Sequence, residues 1–161
     1  MGLSTAYYLS KIQKKILLID QFSIEKGLNA SWDYSKNFRY VYGDDEYYTK
    51  LAVKSLMLWK IIERESNTQL YFKSGCLLLG ESDSSYAKKS YKTMKKLKLE
   101  STLLSRRDLR NKFPQFNSRY ALLDPNGGVI EADTAIKTLD LLARKNGVKI
   151  KIDNMSFFDA L

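Results

Sequence analysis

The chain has no histidine and only one cysteine among its 161 residues. The absence of histidine excludes a Ser-His-Asp triad, a Cys-His dyad and any imidazole metal ligand within this chain. A metal site would need carboxylates alone, and because the sequence has no clustered Asp/Glu loop, we expect no metal. The single Cys76 excludes an internal disulfide and is typical of a reducing compartment, so we expect a cytoplasmic protein.

The chain also lacks a long apolar run. No stretch of about 18 apolar residues occurs, so we expect no membrane-spanning helix. No charged region precedes an apolar stretch at the N-terminus, which argues against a signal peptide. The composition, 44% hydrophobic and 28% charged residues, is that of a globular protein.

Positive charge, by contrast, is abundant, with a formal net charge of +9. Lysines concentrate between residues 88 and 98, where they flank an apolar series at helical spacing. The apolar series consists of Ala87, Tyr91, Met94 and Leu97. This pattern favours a solvated helix face, and no helix-turn-helix, RNP or zinc-finger pattern accompanies the charge. Nucleic-acid binding is therefore the less favoured interpretation, and we expect no nucleic-acid partner.

The first twenty residues are typical of a dinucleotide-binding motif from its last glycine onward. Gly2 would let a helix pack close to the sheet, Ser4 continues that close approach, and an apolar strand ends at Asp20, which would accept a hydrogen bond from a ribose hydroxyl. The first strand and first two glycines would then precede Met1, and we expect the upstream DNA to encode them. The alternative is an ordinary amphipathic helix after a start methionine.

Periodicity and turn residues predict the remaining elements. The continuously apolar segment 15–20 predicts a strand buried on both faces of a parallel sheet. Segment 21–46 is rich in Gly, Asn, Ser and Asp, which predicts a long functional loop. The other predicted elements are helices over 3–12, 47–65 and 84–98, a capping box from Ser105 to Asp108 opening a short helix before Pro114, strands over 69–73, 76–79, 120–123, 129–130 and 148–152, and a last helix capped by Asp133 that ends at Gly147.

Five short motifs occur in a familiar order along the chain. They are residues 2–7, 17–22, 37–43, 74–77 and 124–129. Together they resemble the FAD-dependent D-amino-acid-oxidase superfamily, and most closely its monomeric sarcosine oxidase and N-methyl-amino-acid oxidase branch. The resemblance extends over essentially the whole chain but covers less than half of a family member.

The resemblance implies a bound FAD and a small amine or amino-acid substrate. Gly2 and Ser4 would begin the helix whose N-terminus faces the pyrophosphate, and Asp20 would hold the adenosine ribose. Arg39 falls where family members bind the substrate carboxylate, a role that suits the fork of a guanidinium; the alternative is a surface ion pair. Lys36 falls where the family has an arginine near the flavin, and it keeps the charge but loses the fork.

The resemblance also implies an architecture. The expected fold is α/β, a partial Rossmann-type FAD-binding domain with an inserted α+β substrate domain, truncated at both ends. We assign 1–68 to the first FAD-binding segment, 69–132 to the substrate domain and 133–161 to the returning FAD-binding segment. The family's remaining flavin-binding segments, its oxygen-activating basic residue and its flavin-tethering cysteine belong to the second half, so no catalytic residue is assigned, and Cys76 is interpreted as a core residue.

The expected function is that of the N-terminal part of an FAD-dependent amine or amino-acid oxidoreductase acting on CH–NH groups, inactive alone. One alternative is a non-catalytic remnant or a subunit that needs a partner chain to supply the missing half. The less favoured alternative is a basic nucleic-acid-binding protein.

Overall fold

The computed structural model describes residues 1–13, 15–23, 31, 33–83 and 85–153. Helices are interspersed with single strands and pairs of strands along this part of the chain. In chain order they are α1 (Gly2–Ser10), β1 (Leu17–Asp20), β2 (Ser35–Phe38), α2 (Glu46–Ser66), β3 (Tyr71–Lys73), β4 (Cys76–Gly80), α3 (Tyr86–Lys96), β5 (Thr102–Ser105), α4 (Arg106–Lys112), β6 (Tyr120–Asp124), β7 (Gly128–Glu131), α5 (Ala132–Lys145) and β8 (Lys149–Ile152).

The strands of the described residues form three small sheets. In the first, β1 and β8 pair in parallel, with Leu17 opposite Lys149 and Asp20 opposite Ile152. The second has the order β2-β7-β3, in which β3 and β7 are antiparallel. In the third, β6 lies between β4 and β5 and is antiparallel to both.

Two compact units divide the chain. Unit 1 takes its described residues from Met1–Lys36, Ile62–Leu70 and Glu131–Leu161, and unit 2 from Asn37–Ile61 and Tyr71–Ile130. The segment Asn37–Ile61 thus groups with Tyr71–Ile130, whereas the sequence assignment joined it to the first FAD-binding segment. The assignment of 1–68, 69–132 and 133–161 to functional domains stays a prediction.

Unit 1 is built around α1, which packs on β1 and on α5. Ala6 and Tyr7 are buried on α1, and small residues of α5 such as Ala143 are buried as well. The hydroxyl of Tyr7 donates to the carboxylate of Glu65, and Lys11 Nζ lies 2.7 Å from the other oxygen of that carboxylate. This network fastens α1 to the residues at the end of α2.

Unit 2 buries the β4-β6-β5 sheet beneath α3 and α4. Leu104, Leu109 and Ala121 form one apolar cluster, with Leu77, Phe113 and Leu123 packed against it. On α3, Ala87 and Met94 are fully buried, which confirms the predicted apolar stripe. Three lysines of that helix are in ion pairs with acids of unit 2, as expected of a solvated face. These pairs are Lys88–Asp83, Lys89–Asp44 and Lys96–Glu46.

Predictions that rest on residues close together in the sequence were more accurate than predictions of strands that pair with distant segments. The capping box is confirmed, because Ser105 and Asp108 each accept a hydrogen bond from the other's backbone. Gly147 directly follows the C-cap residue of α5 and has a φ of +89°, which is the left-handed conformation expected of a C′ glycine. The predicted Asp133 cap is wrong, since the N-cap of α5 is Glu131 and Asp133 lies in its first turn.

Two strands were not predicted, and one was assigned the wrong burial. β2 lies inside the predicted 21–46 loop, and β5 precedes the capping box. β1 was expected to be buried on both faces, but Leu17 is 57% exposed. The reason is that, in the part of the chain that the structure describes, β1 has one strand neighbour, β8.

Candidate functional site

The start of α1 has the close helix–strand approach expected of a cofactor-binding turn. A Cβ added to Gly2 would stand 3.2 Å from Leu18 Cδ1, which is tighter than an ordinary contact. The helix begins after Met1 with no side-chain cap and no acidic residue in its first turn. Because the first amides of a helix have no intrahelical acceptor, this end attracts an anion.

Ser4 lies in this first turn, and its side chain is engaged locally. Its Oγ donates to the carbonyl oxygen of Met1 at 2.8 Å, and the backbone N–H of Thr5 donates to the same oxygen at 3.1 Å. These bonds stabilise the turn. Ser4 would therefore face a cofactor with its backbone N–H, and this role stays a prediction.

Asp20 is the last residue of β1 and its side chain is exposed. One carboxylate oxygen accepts the backbone N–H of Phe22 at 3.2 Å, and the carbonyl oxygen accepts the N–H of Asp153 at 2.9 Å. A Cβ added to Gly2 would meet the side chain of Leu18, so the start of α1 packs closely on the strand that Asp20 ends. Asp20 lies at the carboxyl end of a strand in a parallel pair, where ligands of open α/β sheets bind, and the cofactor-binding roles of Gly2, Ser4 and Asp20 stay predictions.

Lys36 belongs to unit 1 and lies in β2 with an exposed side chain. Its ammonium pairs with Asp33 at 2.8 Å. This pair holds the pKa of Asp33 below its usual value, with the hydrogen bond from Lys36 as the main cause. No motif in the sequence indicated this acid, and a flavin contact for Lys36 stays a prediction.

Arg39 belongs to unit 2 and directly follows β2. The residue is half-buried, and its guanidinium carbon lies 5.8 Å from the centre of the Tyr42 ring. Within the described ranges, no carboxylate lies within 4.0 Å of its guanidinium nitrogens, so the surface ion pair weighed as the alternative finds no partner there.

The backbone after Arg39 is held by a residue that the sequence analysis did not single out. Asp124 is fully buried, and its Oδ2 accepts the N–H of Tyr40 at 2.7 Å. Burial raises the pKa of Asp124, against the lowering effect of the backbone N–H groups of Tyr40, Asn126 and Gly127. Burial, followed by the charge of Asp124, raises the pKa of Tyr40 to about 12. The two residues are 84 positions apart, so no local pattern links them.

Cys76, the one cysteine, is half-buried in β4 and lies opposite Asp124 in the β4–β6 register. Burial, and then the charge of Asp124, raises the pKa of its thiol. In the described portion of the chain, no three acidic or cysteine side chains are grouped to hold a metal ion. Nor does any helix of that portion combine the length and apolarity needed to cross a bilayer.

Comparison with known proteins identifies the family. The profile of the DAO family, described as FAD dependent oxidoreductase, matches residues 1–154. The chain belongs to this family of FAD-dependent oxidoreductases. The resemblance stated from the five motifs is thereby confirmed, and FAD is the cofactor of the family.

The curated relatives are amine oxidases of the expected branch. The chain is 33% identical to human peroxisomal sarcosine oxidase over 149 residues, which are 91% of this chain and 38% of the relative. It is 26% identical to monomeric sarcosine oxidase of Arthrobacter sp. (strain TE1826), over 93% of this chain and 40% of the relative. The chain therefore spans about 40% of the length of the curated relatives that it matches.

Solved structures of related oxidoreductases share the fold. L-proline dehydrogenase from P. horikoshii superposes with a TM-score of 0.77 at 19% identity, over 93% of this chain and 40% of that one. An amino acid oxidase of nikkomycin biosynthesis gives a TM-score of 0.75 at 20% identity, with the same coverage. The predicted α/β fold of the Rossmann-type FAD-binding class is confirmed.

The residues of unit 1 fit the family's cofactor. The uncapped start of α1 offers amide donors to a pyrophosphate, and the close approach at Gly2 leaves no room for a longer side chain without moving Leu18. The exposed carboxylate of Asp20 can accept hydrogen bonds from a ribose. Nothing in this donor set conflicts with an adenine dinucleotide.

Proposed function

We propose that this chain forms part of an oxidoreductase that removes a hydride and a proton from the CH–NH group of a carboxylate-bearing amine, such as an N-methyl amino acid. Bound FAD would accept the hydride. The residues of this chain would bind and orient: Gly2, Ser4 and Asp20 would hold the cofactor, and Arg39 would hold the substrate carboxylate.

The observation that carries the proposal is the state of Arg39. A half-buried guanidinium normally has an anionic partner, because burying a charge without one is costly. Arg39 finds no carboxylate among the described residues, and the ring of Tyr42 offers only a weak cation–π contact. A substrate carboxylate is the partner that the fork of this guanidinium would pair with bidentately.

The substitution Arg39→Lys tests this role because lysine keeps the charge and removes the fork. In the reconstituted enzyme we expect sarcosine binding, measured by equilibrium dialysis with radiolabelled ligand, to weaken by about 1.5–3 kcal/mol, the range of charge-assisted hydrogen bonds, while the flavin content stays unchanged. Arg110→Lys, on an exposed face of α4 in the same unit, is the matched control and should bind as the unchanged chain does. Equal sarcosine affinity in both variants would refute the assignment of Arg39.

We further propose that the chain alone is not an active oxidase. The β1–β8 pair leaves backbone groups on its outer edges, and Leu17 and Ile152 are 57% and 49% exposed. An open, apolar sheet edge promotes association with another chain. A partner chain that adds strands at these edges would complete the sheet. This would be the mode of association if the chain is a subunit that needs a partner.

Expression of the chain alone tests this second proposal. We expect self-association by sedimentation, no retained flavin absorbance, and no peroxide with sarcosine. A monomeric, yellow preparation that oxidises sarcosine would contradict it and would leave the first proposal standing.

A further inference from the structure

The backbone that carries Arg39 is fastened by buried side chains at two points. The first is the Tyr40 amide, which belongs to the peptide bond directly after Arg39 and donates to Asp124 Oδ2 at 2.7 Å. A hydrogen bond to a carboxylate is stronger than one between neutral groups, and burial excludes competing water. The peptide plane next to Arg39 is therefore fixed relative to the end of β6.

The second point is Gly43, four residues after Arg39. Its N–H donates to Ser90 Oγ and its carbonyl oxygen accepts from Thr93 Oγ1, both at 2.8 Å. Both hydroxyl residues lie on α3 and are buried. Gly43 has a φ of +66°, and a Cβ there would stand 2.8 Å from the Tyr86 ring, so glycine is needed for this turn.

The carboxylate of Asp124 is itself held rigidly. Its second oxygen accepts the N–H of Asn126 at 3.0 Å, and the Tyr71 hydroxyl donates to the carbonyl oxygen of Asn126 at 2.9 Å. The residue is 0% exposed and, within the described chain, makes no ion pair with a cation. Removing a carboxylate from water is costly even when backbone N–H groups donate to it, so we expect Asp124 to have a specific role at this position.

We propose that Asp124 is the positioning residue of Arg39. Its buried carboxylate fixes the Arg39–Tyr40 peptide, and the Gly43 attachment fixes the other end of the segment. Arg39 directly precedes the first of these points, so the backbone that bears its side chain is held where the guanidinium lies beside the Tyr42 ring. This inference rests on the proposed function in one respect, namely that the ligand of Arg39 is a carboxylate.

The test compares two variants of the full chain. Asp124→Asn keeps the shape of the side chain but replaces one of its two acceptor oxygens with an NH₂ group. One of the two N–H donors, Tyr40 or Asn126, then loses its acceptor. Ser118→Ala is the matched control, because it removes another buried hydrogen bond of unit 2, from Ser118 Oγ to the carbonyl oxygen of Gly80 at 3.0 Å. The first readout is amide hydrogen exchange of residues 39–43, followed by mass spectrometry.

The second readout is equilibrium dialysis with sarcosine and with N-methylethanolamine, which lacks the carboxylate. For Asp124→Asn we expect faster exchange at residues 39–43 and about tenfold weaker sarcosine binding, as for a displaced binding group. Binding of N-methylethanolamine should not change, and Ser118→Ala should match the unchanged chain in both readouts. A purely structural role would weaken both ligands alike, and that outcome, or unchanged sarcosine affinity, overturns the proposal.

Two further results keep the inference separate from the proposed function. If the unchanged chain binds no sarcosine, Arg39 does not by itself form a carboxylate site in this chain, and the exchange comparison still decides whether Asp124 holds the segment. If Asp124→Asn does not fold, the Tyr40 amide of the unchanged chain decides instead. Exchange as slow as that of the central β6 amides supports the proposal, and exchange as fast as that of an exposed loop overturns it.

Discussion

Gly128, at the start of β7, is the position where one added methyl group should cost the most. A Cβ there would stand 2.3 Å from the carbonyl oxygen and 3.1 Å from the carbonyl carbon of Phe72. These are backbone atoms of β3, which cannot swing aside as a side chain can. To admit alanine, β3 must move away from β7, where Lys73 lies opposite Gly128.

The magnitude follows from two contributions. Overpacking of a filled site costs about 1–3 kcal/mol. Loosening one or two strand hydrogen bonds adds about 0.5–1.5 kcal/mol each. We therefore expect Gly128→Ala to lower the free energy of unfolding by about 1.5–6 kcal/mol.

Gly2→Ala is the matched substitution for comparison. Its Cβ meets only the end of the Leu18 side chain, at 3.2 Å, which can shift by a few tenths of an ångström. Alanine also favours the helix over glycine by up to about 1 kcal/mol. Urea unfolding followed by far-ultraviolet circular dichroism measures both variants. If Gly128→Ala unfolds within about 0.5 kcal/mol of Gly2→Ala, the argument from backbone contact is wrong.

Three further predictions concern unit 2. Leu109→Ala should lower the free energy of unfolding by about 2–5 kcal/mol in urea, because Leu109 is fully buried in the apolar cluster of α4 and the β4-β6-β5 sheet; a loss below 1 kcal/mol would contradict that packing. Burial raises the pKa of the Cys76 thiol, so alkylation by iodoacetamide at pH 8 should be slower than for a free cysteine, and an equal rate would show an accessible thiolate. Burial also raises the pKa of Asp124 above its ordinary 3.8, so its contribution to stability is complete below pH 3.8 and decreases as the pH rises through the raised value. The urea midpoint of the unchanged chain minus that of Asp124→Asn should therefore fall as the pH rises above 3.8, and a difference that rises instead would refute the sign.

The elements that the sequence predicted are those whose determinants are close together in the chain. Ser105 and Asp108 form their capping box because three residues suffice to close it. β2 was missed because Ser35–Phe38 shows no apolar alternation, and its neighbour β7 lies about 90 residues away. Asp133 was mistaken for a cap because composition alone does not say which residue leaves the helical conformation first.

The candidate site shows the same difference between features with local determinants and features that depend on the tertiary fold. Cofactor-binding roles for Gly2, Ser4 and Asp20 could be predicted from the sequence because the dinucleotide motif is local and its spacing has a physical reason, and these roles stay predictions. Two features could not be predicted, because both depend on what the tertiary fold brings near. They are the lack of an acid beside Arg39 among the residues that the structure describes and the hydrogen bond from Tyr40 to Asp124. The pairing of Lys36 with Asp33 spans three residues, yet several other acids were equally available to it in the sequence.

The pairing of β1 with β8 has a consequence for the order in which the protein folds. The two strands lie some 130 residues apart, whereas the strands and helices from β4 to β6 are close neighbours in the chain. During synthesis the ribosome releases residues 71–130 before it completes β8, so the β4-β6-β5 sheet can form while β1 still has no partner. Closing so long a loop is a slow step unless the intervening segment is already compact. We therefore expect early folding of unit 2 to shorten the effective tether between β1 and β8, and the pairing of these two strands to form last.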